Sequence, residues 1–343
     1  MKVGFFAFVL ACASAAISGP ALAADPVADF YRGKTVFLQI GSTPGNIYDI
    51  VGRIFARNMG RFIPGNPTVV PQNVPGGGSL PLANQFGNTT ARDGTVFGVF
   101  NNGMPTTPLL DPGVAKFDPR KFNFLGSPSR EAHVLAVWHK SPALTLEDLF
   151  VKETIVGATA PGAAPFDFPR LTNAVIGTKF KIVTGYLSTE DTRLAMQRGE
   201  VHGNAGLAWS SAKTDYADLI QSKEIVLVAA FGIRKNRELE HIPLFPLGKT
   251  AEDRQLFELM YGRQAFGRPF ATPPDVPAER VQALRTAFEA TMKDPVFLAE
   301  AKRLNLEIDP VSADELTGLT TELYKTPADV LKRMQDSLAP AAK

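Results

Sequence analysis

The chain has 343 residues, enough for two domains of ordinary size, and its 45% hydrophobic and 20% charged content suits a globular protein with a sizeable core. A formal charge of +2 excludes the strongly basic surface that nucleic acid requires, and no basic run interleaved with aromatics occurs. Cys12 is the only cysteine, which excludes a disulfide within the chain.

The first stretch reads as an export signal. Lys2 is a positive n-region, Phe5 to Ile17 is mostly apolar, and Ala21-Leu22-Ala23 is a small-x-small cleavage site, so residues 1–23 are a predicted signal peptide. Ser14, Ser18, Gly19 and Pro20 interrupt the run short of the ~20 apolar residues that a membrane span needs. Val9-Leu10-Ala11-Cys12 loosely resembles a lipobox, which keeps lipidation of Cys12 as the alternative. Either way the expected compartment is the periplasm.

Val36 to Ile40 is an apolar run with strand character, broken by Gly41-Ser42-Thr43-Pro44-Gly45. From Ile47 the period changes: Ile47, Ile50, Val51, Ile54, Phe55, Met59 and Phe62 form the buried stripe of an amphipathic helix, with Arg53, Arg57 and Arg61 off it. A strand, a glycine-rich turn and a helix leave backbone N–H groups free at the helix start, where an anion can be held. Pro67 to Val70 is the next strand, followed by Asn73-Val74-Pro75-Gly76-Gly77-Gly78-Ser79 and a helix from Leu80 with Ser79 as its predicted N-cap. Thr95 to Phe100 is a third strand, ending in Asn101-Asn102-Gly103-Met104-Pro105. Alternation of this kind predicts parallel βα units whose ligand loops gather at the carboxyl ends of the strands.

A second set repeats the logic. His133 to Trp138 and Thr154 to Gly157 are strands, and the latter leads into Thr159-Ala160-Pro161-Gly162-Ala163-Ala164-Pro165 and a helix that stops near Gly177. Phe180 to Val183, the loop Gly185-Tyr186-Leu187-Ser188, a helix over Thr189 to Arg198 and a strand over Glu224 to Phe231 follow. The tail is helical, with starts at Asp294-Pro295, Ser312 and Thr326-Pro327.

Catalytic motifs fail one by one. His133, His139, His202 and His241 lack a His or Cys partner at ligand spacing, so no metal is expected. No Gly-x-Ser-x-Gly elbow occurs, and Gly248-Lys249-Thr250 has Pro243 where a phosphate loop needs glycine. Gly76-Gly77-Gly78 lacks the third small residue of a dinucleotide fingerprint, so no cofactor is expected. What remains is a set of small-residue loops at strand ends, each a plain turn on its own, together able to present main-chain amides to an anion. Asp49, in the first helical turn, either complements the helix dipole or orders the loop; a direct contact would repel an anionic ligand.

The loop residues carry a resemblance. Pro44-Gly45-Asn46-Ile47-Tyr48-Asp49 with Arg53 and Ala56-Arg57, Gln72 to Ser79, Arg92-Asp93-Gly94-Thr95, and Phe117-Asp118-Pro119-Arg120-Lys121-Phe122 resemble solute receptors of tripartite tricarboxylate transporters, the Bug-type receptors. The likeness covers nearly the whole mature chain. It implies a type II periplasmic binding protein fold, α/β in class, with two α/β domains and a ligand cleft between them. Domain 1 would comprise residues 24–125 plus 235–343, and domain 2 residues 126–234.

It also implies a small carboxylate ligand held by Ser42, Thr43, Asn46, Ile47, Tyr48, Asp49, Gly76, Gly77, Gly78, Ser79, Thr159, Ala160, Gly162, Ala163 and Ala164. Asn101, Gly103, Met104 and Tyr186 join them from the other strand-end loops. Asn46 and Ile47 stand where the family commonly has glycines, and Ala163-Ala164-Pro165 replaces a Gly/Thr-rich run. Fewer open amides imply a carboxylate with an apolar body. The expected protein is no enzyme but a monomeric receptor serving membrane transporter subunits. The alternatives are a periplasmic sensor feeding a two-component system and an enzyme with Asp49 as base.

Overall fold

The computed structural model describes residues 25–339 and Met1; the rest of the predicted signal peptide, with Cys12, lies outside the described residues. Its strands, in chain order, are β1 (Thr35–Ile40), β2 (Thr68–Asn73), β3 (Val96–Val99), β4 (Asn123–Ser127), β5 (His133–Trp138), β6 (Thr154–Gly157), β7 (Phe180–Val183), β8 (Gly203–Ala208), β9 (Ile225–Phe231), β10 (Phe270–Thr272) and β11 (Val311–Ser312). They form a six-stranded sheet, β11-β4-β10-β3-β1-β2, and a five-stranded sheet, β7-β6-β8-β5-β9.

Each sheet is built the same way. In the first, β2, β1 and β3 run parallel, with Thr35 opposite Thr68 and Phe37 opposite Val96. β10 then enters antiparallel between β3 and β4. In the second, β7, β6 and β8 run parallel, and β5 enters antiparallel between β8 and β9. In both cases the antiparallel strand is the one that the chain supplies on arriving from the other sheet. β10 has no patterned run in the sequence: three fully buried residues sit between Pro269 and Pro273.

The first-lobe core is set by the stripe read from the sequence. Val36, Leu38 and Ile40 alternate inward from β1, while Val51, Ile54, Phe55 and Met59 do so from the Ile47–Met59 helix. Phe55 is fully buried, stacks on Phe288 at 4.9 Å, and touches Phe270 at 4.6 Å and Phe297 at 4.9 Å. One side chain thus joins β10 and the helices Ala278–Lys293 and Pro295–Arg303 to the first lobe.

The division expected near residues 125 and 235 meets a more tangled chain. Leu256, Phe257 and Met260 of the Ala251–Gly262 helix, and Met334 of the Ala328–Leu338 helix, pack with Leu135, Phe168 and Phe231 beneath the second sheet. We therefore propose the return crossing at residues 263–270 and assign the last helix to the second lobe. The chain then passes between lobes three times. Replacing Phe55 by Ala should lower unfolding free energy by about 3–5 kcal/mol, read from urea midpoints, since the ring fills the contact of four elements.

Candidate functional site

The first ligand loop is fixed from beneath. Asn46 Oδ1 accepts the N–H of Tyr48 at 2.9 Å and caps the helix. Asp49, buried in the first turn, accepts from Gly45 N–H at 2.8 Å, Arg53 Nε at 2.9 Å and Asn73 Nδ2 at 2.8 Å. Asn73 Nδ2 also donates to the Ser42 carbonyl at 3.0 Å. Burial pushes the Asp49 carboxyl upward, but Arg53, the Gly45 amide and Asn73 outweigh it and hold it below the usual carboxylate range. Asp49 therefore orders the loop, with its oxygens already engaged, and is no free base.

Several expected ligand groups are committed elsewhere. Ser79 has φ 72°, which turns its side chain away from the helix it precedes, and it makes no cap bond. Its Oγ donates to the Gly41 carbonyl at 2.9 Å and accepts from Asn101 N–H at 2.8 Å, tying three loops together. Met104 is 1% exposed and packs with Phe100, Phe122 and Phe266, because residues 104–106 fold into a short helical turn over the first-lobe core. Ala164 belongs to the second-lobe core with Phe168. Tyr186 lies over Gly157 and packs with Ile155 and Val183 inside the second lobe. Ile47 and Ala163 are buried. Thr43 Oγ1 is buried with no partner.

The two lobes meet at Gly162. A Cβ on Gly78 (φ 61°) would lie 3.4 Å from the Gly162 carbonyl carbon, and one on Gly103 would strike the Gly162 oxygen. Gly103 cannot carry a side chain at that distance, while Gly78 has room for a Cβ but holds a positive φ that residues with side chains rarely adopt. Gly103 N–H is held by Asn101 Oδ1 at 2.9 Å, while the next amide back, Asn102 N–H, donates to Tyr48 Oη at 3.4 Å. Beside this contact a cavity of about 500 Å³ is lined by Gly77, Leu80, Thr106, Thr107, Leu110, Ala160, Gly162 and Phe166, and closed by Gln335 and Leu338 of the last helix. The structure thus brings Gly77, Gly78, Gly103, Ala160 and Gly162 together, with Tyr48 adjoining through Asn102.

Gly162 is braced as Gly45 is. Its N–H donates to Asp167 Oδ1 at 3.1 Å, so this amide is not an open donor. Its carbonyl accepts from Arg263 Nη1 at 3.4 Å, and Arg263 Nη1 pairs with Asp167 Oδ2 at 2.6 Å, both side chains being buried. A second buried pair, Arg268 with Glu131, is completed by Ser210 Oγ and by Ser129 Oγ at 3.1 Å, and Arg268 lies 5.5 Å from the Tyr48 ring. Neither arginine stands in a motif. The one sequence signal for Asp167 is a glycine followed by a carboxylate in the next helical turn, as in Gly45 and Asp49.

His133, at the start of β5, is buried, 4% exposed and edge-on to Phe168 at 5.3 Å. Burial holds its imidazole down, Glu131 pulls it up, and Arg263 and Arg268 depress it further, to about 4. Among the described residues no group of His, Cys, Asp and Glu is arranged to hold a metal. A separate cavity of about 650 Å³ opens behind the crossing segments, lined by Glu131, Ser210, Tyr261 and Arg268, and touches none of the glycine loops.

Two mixed sheets with exchanged antiparallel strands, closing small-residue loops on a shared cavity, define the type II periplasmic binding protein fold. No family model matches the chain. The chain is 25% identical over 344 aligned residues to a Cupriavidus necator UPF0065 protein in the gbd 5′ region, covering 95% of each. It is similar to the periplasmic binding protein BugD, with TM-score 0.68 and 17% identity over 89% of this chain and 98% of that one. It is likewise similar to MatC of Rhodopseudomonas palustris, solved with bound malate, with TM-score 0.66 and 15% identity over 90% of this chain and 99% of that one. The likeness to tripartite tricarboxylate receptors carried by the loop residues thus extends to the whole fold.

His133 gives a pH signature. An imidazole that is neutral when folded stabilises fully above its unfolded pKa near 6.5, and that stability is lost as pH falls toward 4. The stability curve of His133→Gln should fall less steeply than wild type between pH 6.5 and 4.5, by ~2–3 kcal/mol in urea unfolding.

Proposed function

We propose that this chain is an extracytoplasmic receptor that captures a small carboxylate between its lobes and delivers it to a tripartite tricarboxylate-type transporter. The observation that carries the reading is the meeting of Gly78 and Gly103 from one lobe with Gly162 from the other, beside a cavity of about 500 Å³. The helix that starts at Ala164 directly follows the Gly162 loop, and the helix that starts at Ile47 follows the Ser42–Asn46 loop; both N-termini favour negative charge. Among the described residues no helix is long and apolar enough to cross a membrane, which fits a receptor working outside the bilayer. Among the described residues Asp49, the carboxylate considered as a base, has its oxygens engaged by Gly45, Arg53 and Asn73, and in this reading the ligand leaves as it came. Binding acts by favouring the closed arrangement, through a higher affinity for it than for the open one.

The cavity walls favour a ligand with an apolar body: Leu80, Leu110, Val114, Phe166 and Leu338 all face it. A thermal-shift panel of citrate, malate, longer dicarboxylates and aromatic acids tests this. The ligand at 100 times its Kd should add ~2.7 kcal/mol, a rise of roughly several degrees, with aromatic or longer-chain acids stabilising more than citrate. Stabilisation by citrate alone would overturn the apolar-body reading; no response to any carboxylate would overturn the receptor reading. Co-purification with a permease rather than a sensor domain tests delivery.

A further inference from the structure

Both ligand loops are braced by a carboxylate and an arginine, yet the two arginines are used differently. Arg53 turns Nε to Asp49 and Nη2 to Asn73 Oδ1 at 2.9 Å, and its side chain is 41% exposed, so water reaches the rest. Arg263 is 1% exposed and engages only Nη1, with Asp167 and the Gly162 carbonyl. Its Nε and Nη2 are buried with no partner. These two N–H groups lie along one edge of the guanidinium and point the same way, at the spacing of the two oxygens of a carboxylate. Burying such donors unpaired is costly, and the first lobe achieves its brace without doing so.

The guanidinium carbon of Arg263 lies 4.8 Å from the centroid of the Phe168 ring. A Cβ on Gly103 would stand 3.2 Å from Nη1, which sets the first-lobe loop directly against Arg263. Asn102, next in that loop, has its Nδ2 buried with no partner, and so does His133 at Nδ1. Glu131 is already taken by Arg268 and Ser210. Asn102 of the first lobe and Arg263 of the crossing segment therefore bring unused donors to the contact between Gly103 and Gly162, with His133 edge-on to Phe168 nearby.

We propose that Arg263 is the charged anchor of the cleft, taking the ligand's carboxylate side-on through Nε and Nη2 as the lobes close, with Asn102 beside it. This rests on the receptor reading above, and it adds a side-chain cation to a grip otherwise made of main-chain amides and hydroxyls. It makes the receptor discriminate an acid from the corresponding amide, which a carbonyl-binding loop alone does poorly.

The test uses the mature chain with malate, adipate and benzoate, each beside its amide, titrated by calorimetry. Wild type should bind at least one acid and prefer it to its amide. Arg263→Lys keeps the charge and loses the fork, and should weaken that acid by about 10- to 100-fold while leaving amide binding little changed. Should Arg263→Lys fail to fold, the double variant Arg263→Gln with Asp167→Asn removes both buried charges together and should show the same loss of acid preference. Independently, the Nε–H resonance of Arg263, assigned by its absence from Arg263→Lys, should shift when the acid is added to wild type. If wild type binds none of these acids, both the receptor reading and the anchor fall. If wild type binds an acid but the variants keep the same acid-to-amide ratio and the resonance stays still, only the anchor falls.

Discussion

The close approach of backbone to backbone at Gly162 is the constraint on which the rest of this molecule depends. A side chain at Gly103 would strike the Gly162 carbonyl and hold the lobes apart there. That approach in turn needs loops that do not sag, because a main-chain amide binds an oxygen only when it is already aimed. Two of the loops are therefore tied to a carboxylate in the first turn of the following helix. Asp49 holds the Gly45 amide and Asp167 the Gly162 amide. The cost of burying each carboxylate is offset by an arginine, so order in the loops is obtained through ion pairs set behind them.

This arrangement explains why the small residues in the cleft do not contribute equally. Glycine amides facing a brace are consumed by it, and Ser79, which looks like a free hydroxyl, bonds Gly41 and Asn101. The amides and hydroxyls left for a guest are fewer than the loop composition suggests. Arg263 and Asn102, with donors unused, make up the difference.

Much of this was legible in the sequence and some was not, for physical reasons. The period change at Ile47 gave the first helix, because a buried stripe of that spacing has one geometry. β5 and β6 coincide with their apolar runs, since strands buried on both faces need continuous apolar residues. β10 was not legible: its three residues owe their place to the slot between β3 and β4, not to any local preference. Met104 and Tyr186 sit in strand-end loops yet turn into their own lobes, and nothing in a loop's composition tells which way a side chain turns. Arg263 stands about 100 residues from the loop it supports, and only the third dimension joins them.

The last helix gives the hinge a direction. Two crossing segments alone would let the lobes swing freely about the line between them. The Ala328–Leu338 helix leaves the first lobe, seats Met334 in the second-lobe core, and returns a hydrogen bond from Gln335 to the Leu109 carbonyl at 2.7 Å. It therefore spans the mouth on one flank as a third tether. On the receptor reading proposed above, opening would pivot about that flank, like a book held along two edges of its spine, and a ligand would pass on the opposite side.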